Sequence, residues 1–164
     1  MDMLVRLYAL PDVTAALAEA EKQGVTIRRP EARERDTVLD FVRGRFTEGW
    51  ANECIVAFAA QPVSCFIAVR DKNVVGFACH DCTRKNFFGP AGVDDSDRGQ
   101  GVGAALTLAT LAAMRDAGYA YAIIGGVGPT AFYAKVAGAR RIQGSTPGIY
   151  EAKLRRRPKR ERST

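Results

Sequence analysis

The segment that most constrains the fold is GAALTLATLAAMRDAG, residues 103–118. It has the length and composition of an α-helix, but apolar or small residues cover most of its circumference. A helix that is apolar on nearly every side has to be buried. The rest of the chain must therefore build layers around it, and 164 residues are enough to do so without disulfides or metals.

Periodicity along the chain predicts the order β-α-β-α-α-β-β-β-α-β-α-β-β, with a closing pair of strands after residue 138. The runs VSCFIAVRD and NVVGFACHDCT meet at the polar link 71–73, which is typical of a hairpin. Hairpins mixed with crossover helices indicate an α/β (α+β) domain with a mixed, mostly antiparallel central sheet flanked by helices. We predict one domain over residues 1–152.

The positive charge of the chain is concentrated at its C-terminus. The net charge is +6, and residues 153–164 hold seven of the 24 basic residues and one of the 18 acidic residues. The remainder therefore carries 17 residues of each sign. A neutral body is poorly suited to binding a phosphate backbone, so we expect no nucleic-acid partner. The basic tail is typical of a solvated, disordered segment, although a nonspecific anionic contact is an alternative.

The four cysteines include the motif Cys79-His80-Asp81-Cys82. A structural zinc site needs four ligands, and His80 is the only histidine. A redox pair usually opens a helix, whereas this segment is predicted as a strand. We expect ordinary, partly buried thiols and no metal. The N-terminus is a poor signal peptide, and we find no run of apolar residues that would cross a membrane, so we predict a cytoplasmic protein without a membrane partner.

The segment DRGQGVGAAL, residues 97–106, joins a predicted strand ending at Val93 to the apolar helix. Glycines let the backbone approach a ligand closely. The first turn of a helix presents unpaired N–H groups and the positive end of the helix dipole. Together these features predict a site for a pyrophosphate, with Arg98 as an added charge. The alternative is a glycine-rich turn without a ligand.

Two common nucleotide signatures do not fit this loop. No Lys-Ser or Lys-Thr pair follows the glycines, as a Walker loop requires, and Gly103 arrives one residue early for the dinucleotide fingerprint. A second segment, residues 126–131, does match G-x-G-x-x-A. There, however, Pro129 removes an N–H that a phosphate would need, and too little chain follows for a dinucleotide-binding half.

The segment GVDDSDRGQGVGAAL resembles the acetyl-coenzyme A loop of the GCN5-related N-acetyltransferase superfamily, whose signature is [RQ]-x-x-G-x-[GA]. The resemblance covers about residues 25–152 and implies that acetyl-coenzyme A is the cosubstrate. Carried over by position, the end of the preceding strand would contact the pantetheine arm, and the loop would hold the pyrophosphate. The implied cofactor-binding residues are Ala91, Gly92, Val93, Arg98, Gly99, Gln100, Gly101, Val102, Gly103 and Ala104.

The resemblance also implies a catalytic acid, Tyr133, which would protonate the sulfur of coenzyme A. The surrounding sequence has one extra residue before Gly138 and lacks the aromatic residue that usually follows it. The alternative is a buried helix aromatic. For the general base we favour Asp81, because the strand that often carries this base, NFFGPAG, has no carboxylate. An ordinary surface aspartate is the alternative. Since no cysteine has an adjacent base, we expect direct attack in a ternary complex.

The sequence gives little information about which amine is the acceptor. Glu53 and Trp50, on a predicted helix, are candidate substrate-binding residues. The blocks FFGPAGV and YAIIGGVGPTAFY are similar to a bacterial glucosamine and glucosaminide N-acetyltransferase subgroup. We therefore expect a primary amine of a small molecule, with an amino sugar as the first candidate. The alternatives are amino-acid, peptide or polyamine amines, or a non-catalytic acyl-coenzyme A-binding module. A homodimer is a further expectation, since it is the commonest assembly.

Overall fold

The computed structural model describes residues 1–154, and the basic segment 155–164 lies outside the described residues. A seven-stranded sheet has the order β2-β3-β4-β5-β6-β1-β7. The strands are β1 (Met3–Arg6), β2 (Thr26–Arg28), β3 (Cys65–Arg70), β4 (Asn73–His80), β5 (Phe87–Val93), β6 (Tyr121–Ile124) and β7 (Arg140–Arg141). The helices are α1 (Val13–Lys22), α2 (Arg35–Arg45), α3 (Glu48–Phe58), α4 (Val102–Asp116) and α5 (Thr130–Ala137).

Neighbouring strands are antiparallel except for β5 and β6, which run parallel. The expected mixed, mostly antiparallel sheet is thus confirmed. The hairpin between β3 and β4 is confirmed as well. Asp71 and Lys72 both have positive φ, 49° and 64°, as a two-residue turn requires to match the twist of its strands.

The sheet separates two hydrophobic cores. One face carries α1 and α4, and its core includes Val5, Leu106 and Met114. The other face carries α2 and α3, whose buried side chains pack on Ile67 and Phe77. In α4, ten of 15 residues are buried, so its prediction as a largely buried helix is confirmed. No helix among residues 1–154 has the length and hydropathy needed to cross a membrane.

The predicted closing pair of strands is wrong. β7 has only two residues and is followed by a 3-10 helix, Gly148–Tyr150. Gly144 and Gly148 both adopt positive φ, 73° and 59°, and Pro147 has no N–H to donate to a sheet. The segment therefore turns instead of extending into a second strand.

The first 24 residues complete the sheet and one core. β1 lies between β6 and β7, with Met3 opposite Ile124. Asp12 caps α1 by accepting a hydrogen bond from the N–H of Thr14 at 2.9 Å, and α1 packs against α4. In this strand order β5 lies next to β6, and the two pair at Phe87 and Phe88 of β5. Beyond Phe88 the two strands separate, and the sheet is open there.

Candidate active site

A cleft of ≈ 660 Å³ lies where the N-terminus of α4, the end of β5 and the start of α5 meet. One continuous wall thus joins the glycine loop to Tyr133. The lining residues are Phe77, Ala91, Gly92, Val93, Arg98, Gly99, Gly101, Gly103, Ala104, Leu106, Thr107, Pro129, Phe132 and Tyr133.

The glycine loop ends in the first turn of α4. Gly99 and Gly101 have φ of +79° and +80°, a conformation that glycine adopts without a steric cost. Ala105 is the first residue whose N–H is bonded within the helix, to the carbonyl of Gly101 at 3.0 Å. The N–H groups of residues 102–104 precede that bond, so they lack intrahelical acceptors and suit an anion.

Side chains from outside the loop hold it in place. Arg70, at the end of β3, forms an ion pair with Asp97, whose side chain is 9% exposed. The second guanidinium nitrogen of Arg70 donates to Oε1 of Gln100 at 2.8 Å. The side chain of Gln100 is thereby directed at Arg70. By contrast, Arg98 pairs with Asp95 at 2.9 Å, and these side chains are 64% and 85% exposed. Such a surface pair is weak, so Arg98 can turn from Asp95 towards a ligand.

The parallel strands β5 and β6 separate beyond Phe88 and Ile124. Backbone groups on that side of residues 89–93 therefore have no partner in β6, and the cleft opens there. The cis peptide bond Gly89–Pro90 lies at an irregularity in the pairing of β5 with β4. Backbone groups at the opening are thus available to a ligand that lies along β5.

Tyr133, in α5, also lines the cleft. Its ring packs edge-on against Phe88 and Phe132, with centroid distances of 5.9 and 5.0 Å. Burial raises the pKa of the Tyr133 hydroxyl above its ordinary value. The phenol therefore keeps its proton at neutral pH and can act as an acid.

Most of the predicted cofactor-binding residues line this cleft. The exceptions are Gln100 and Val102, which belong to the loop without lining it. Val102 is 1% exposed and packs in the core beneath α4. If these two residues contact a ligand, they do so through their backbone.

The structure does not bring Asp81 into the cleft. Oδ1 of Asp81 accepts hydrogen bonds from the N–H of Asn86 at 2.8 Å and the hydroxyl of Tyr119 at 3.0 Å. Oδ2 lies 2.9 Å from Nδ1 of His80. Asp81 instead lines a different cavity, against α1 and the C-terminal half of α4. Because both carboxylate oxygens bind these partners, the geometry gives Asp81 a positioning role and not that of a base beside Tyr133.

Neither Glu53 nor Trp50, both in α3, lines the cleft. Trp50 stacks on Phe46 with centroids 5.4 Å apart and contacts Phe77, which does line the cleft. Phe46 in turn covers Gly92, where a Cβ atom would lie 2.5 Å from the ring. Oε1 of Glu53 accepts a hydrogen bond from the hydroxyl of Thr83 at 2.7 Å.

Sequence reasoning missed the residues that hold the glycine loop in place, and it also missed part of the cleft wall. Arg70 and Asp97 are 27 positions apart, and no local pattern joins them. Pro129 and Phe132 could have been found, because they belong to the same short segment as Tyr133.

Comparison with known proteins identifies the fold. No protein-family model matches the chain, and no curated protein matches it significantly. Among solved structures, the glucosamine N-acetyltransferase region of a fungal multi-domain GH3 β-N-acetylglucosaminidase is similar, with a TM-score of 0.69 and 13% identity over 85% of this chain and 19% of that chain. A GCN5-related N-acetyltransferase from Sphaerobacter thermophilus gives a TM-score of 0.65 and 19% identity over 85% of this chain and 47% of that chain.

A Drosophila protein is a third similar structure, with a TM-score of 0.56 and 14% identity over 86% of this chain and 46% of that chain. The chain thus spans less than half the length of each of these three structures. At these identities the similarity concerns the fold alone, and it agrees with the resemblance that the glycine loop indicates. This chain has the fold of the GCN5-related N-acetyltransferase superfamily.

Proposed function

We propose that this protein is an N-acetyltransferase that moves an acetyl group from acetyl-coenzyme A to a primary amine of a small molecule. The observation that carries the proposal is the continuous cleft between the glycine loop and Tyr133. A loop that suits a pyrophosphate and an acid that suits a departing thiolate thus line one opening. The fold supports the same function.

The N–H groups at the start of α4, together with Arg98, bind the pyrophosphate of acetyl-coenzyme A. The pantetheine arm lies along β5, where β6 leaves backbone groups without a partner. An N–H in residues 91–93 donates to the oxyanion of the tetrahedral intermediate. The residues present therefore fit the pyrophosphate, the pantetheine arm and the thioester of the cosubstrate.

In the reaction, the amine nitrogen attacks the thioester carbonyl and forms the new C–N bond. As the C–S bond breaks, Tyr133 gives its proton to the thiolate of coenzyme A. The proton lost by the amine passes to water, and Tyr133 takes a proton back from water before the next turnover. A covalent acetyl-cysteine is disfavoured, since burial raises the pKa of the Cys79 thiol and keeps it protonated. Cys54 and Cys65 are also buried.

Acidic groups near the end of β6 favour a cationic acceptor. The ring of Tyr150 packs on Gly125 and Gly126, three or four residues before Pro129 of the cleft. Burial raises the pKa of the Tyr150 hydroxyl, and the charges of Asp2 and Glu53 raise it further. We propose that Glu53, whose charge acts on Tyr150 alongside the opposing charge of Arg84, attracts the ammonium group of the acceptor.

An amino sugar remains our first candidate acceptor. The glucosamine N-acetyltransferase region among the similar structures supports this choice, as does the aromatic cluster of Phe46, Trp50 and Phe77 beside the cleft. Amino-acid, peptide and polyamine amines are the alternatives of the same reaction class. A non-catalytic acyl-coenzyme A-binding module is the alternative of a different class.

The test is an amine panel that includes glucosamine, scored by release of the coenzyme A thiol. We expect turnover with at least one primary amine, and a kcat lower by about 100-fold in Tyr133→Phe because the leaving thiolate loses its acid. Acetyl-coenzyme A affinity should stay unchanged in that variant. Tyr8→Phe, at a tyrosine that is 62% exposed, is the matched control. Binding of acetyl-coenzyme A without turnover of any amine would refute the proposed enzymatic activity and would favour the non-catalytic acyl-coenzyme A-binding module.

A further inference from the structure

Thr107 lines the cleft from the second turn of α4. The residue is only 3% exposed, although the helix around it is mostly apolar. Gly103 and Ala104, about one turn earlier, line the cleft as well, and residues three and four apart share one face of a helix. Thr107 thus continues the wall that begins at the glycine loop.

The hydroxyl of Thr107 differs from that of Thr110, the other threonine of α4. Thr110 is 0% exposed, and its hydroxyl donates to the carbonyl of Leu106 at 2.8 Å, a usual partner for a threonine inside a helix. The hydroxyl of Thr107 makes no such bond and has no other hydrogen-bond partner among residues 1–154. It is not sealed inside the protein either, since Nε2 of His80 is the one fully enclosed polar side-chain atom without a partner in that part of the chain. The hydroxyl of Thr107 therefore faces the cleft.

The side chains of the cleft wall are otherwise mostly apolar. Those of Arg98 and Tyr133 are the others in the wall that can form hydrogen bonds. A valine in place of Thr107 would have the same shape, without a polar group to bury. The fold thus makes no use of this hydroxyl, which is free to bind a ligand. The apolar side chains of the wall are Phe77, Ala91, Val93, Ala104, Leu106, Pro129 and Phe132.

The position of Thr107 relative to the loop indicates which part of a ligand it meets, and this step rests on the proposed function. There, the N–H groups of residues 102–104 bind the pyrophosphate of acetyl-coenzyme A. Thr107 lies about one helical turn, or about 5 Å, further along α4. In coenzyme A the pantoyl group follows the pyrophosphate directly, so its hydroxyl and its amide carbonyl come within that reach.

We propose that Thr107 is a specificity-determining residue for the cosubstrate, and that its hydroxyl donates a hydrogen bond to the pantoyl group of acetyl-coenzyme A. This contact adds one side chain to the recognition of an arm that lies along the backbone of β5. A ligand with a pyrophosphate and no pantetheine arm, such as ADP, gains nothing from Thr107. The contact therefore helps the cleft to select acetyl-coenzyme A over free nucleotides.

The experiment measures the affinities of the full chain for coenzyme A and for ADP by calorimetry. Thr107→Val removes the hydroxyl and keeps the shape of the side chain. Its affinity for coenzyme A should fall about 5-fold, which is equivalent to about 1 kcal/mol, and its affinity for ADP should not change. Thr107→Ser keeps the hydroxyl and should bind coenzyme A nearly as tightly as the unchanged protein. Thr110→Val is the matched control, because that hydroxyl is bonded within the helix, and it should bind both ligands normally.

The proposal is overturned if Thr107→Val binds coenzyme A as tightly as the unchanged protein does. Equal losses for coenzyme A and ADP would also overturn it, because the substitution would then have disturbed the glycine loop. With an amine acceptor, Thr107→Val should raise the KM for acetyl-coenzyme A and leave kcat unchanged, and a lower kcat alone would contradict the pantoyl assignment.

The affinity measurements separate this inference from the proposed function, since they need no amine. The expected difference between coenzyme A and ADP would support the role of Thr107 even if no amine were acetylated. Normal binding and turnover in Thr107→Val would overturn this inference and leave the proposed function intact. Failure of the unchanged protein to bind coenzyme A would overturn both.

Discussion

The ion pair between Arg70 and Asp97 should stabilise the fold although neither residue touches the proposed reacting groups. The side chains of Arg70 and Asp97 are 24% and 9% exposed. In Arg70→Met, the one remaining hydrogen bond to the Asp97 carboxylate from residues 1–154 comes from the hydroxyl of Ser96, at 3.0 Å. Removing one partner of a buried pair costs about 3–5 kcal/mol because the other charge is left uncompensated. Partial exposure of Arg70 lets water reach the site, so we expect about 2–3 kcal/mol, below that range.

For a chain of this length, that loss lowers Tm by about 5–10 °C. The double variant Arg70→Met with Asp97→Asn removes the stranded charge as well and should return to within about 1 kcal/mol of the unchanged protein. Arg115→Met is the control, since its pair with Asp116 is exposed on both sides and is worth at most about 1 kcal/mol. Stability is measured by urea denaturation, and Tm by scanning calorimetry.

Two results would contradict the reasoning about this pair. One is a loss in Arg70→Met no larger than in Arg115→Met, which would mean that solvent already screens Asp97. The other is a double variant no more stable than Arg70→Met alone. In that case the loss would come from missing contacts of the Arg70 stem and not from a buried, unpaired carboxylate.

Two further predictions concern the loop and the acid stability of the fold. Gly101→Glu should abolish acetyl-coenzyme A binding in calorimetry, because it adds a negative charge and because a side chain is strained at φ +80°. The control is Gly118→Glu, at φ +102° and distant from the loop, which should retain binding. Equal affinities in the two variants would contradict the assignment of the loop. Two hydrogen bonds from Arg28, at 2.6 and 2.7 Å, lower the pKa of Glu34 from 4.5 to about 2. This pair therefore stabilises the fold above pH 4.5 and ceases to do so as pH falls towards 2. Glu34→Gln should cost about 1 kcal/mol at neutral pH after allowance for solvent screening, and its urea stability should fall less between pH 4.5 and 2 than that of the unchanged protein. An identical pH profile in both proteins would refute the assignment.

Local patterns predicted the parts of the site that depend on neighbours in sequence. The glycine spacing, the buried helix behind it and Tyr133 each belong to one short segment, and the structure joins them in one cleft. The hydrogen bond between Asp81 and Tyr119 could not be predicted in this way. The hydroxyl of Tyr119 comes from 38 residues away, and only the packing of β4 against the end of α4 brings the two together. The ion pair of Arg70 with Asp97 depends on tertiary packing for the same reason.

The narrow pairing of β5 with β6 also bears on how the molecule resists deformation. Only two residue pairs join the four strands on one side to the three on the other, so the backbone of the sheet is weak along this line. α4 packs on β3, β4, β5 and β6 and so connects the two parts of the sheet across the opening between β5 and β6. The width of the cleft is then fixed by the side chains that α4 lays on both halves. Leu106 and Ala105, two buried residues of α4, are therefore expected to affect the width of the cleft from within the core.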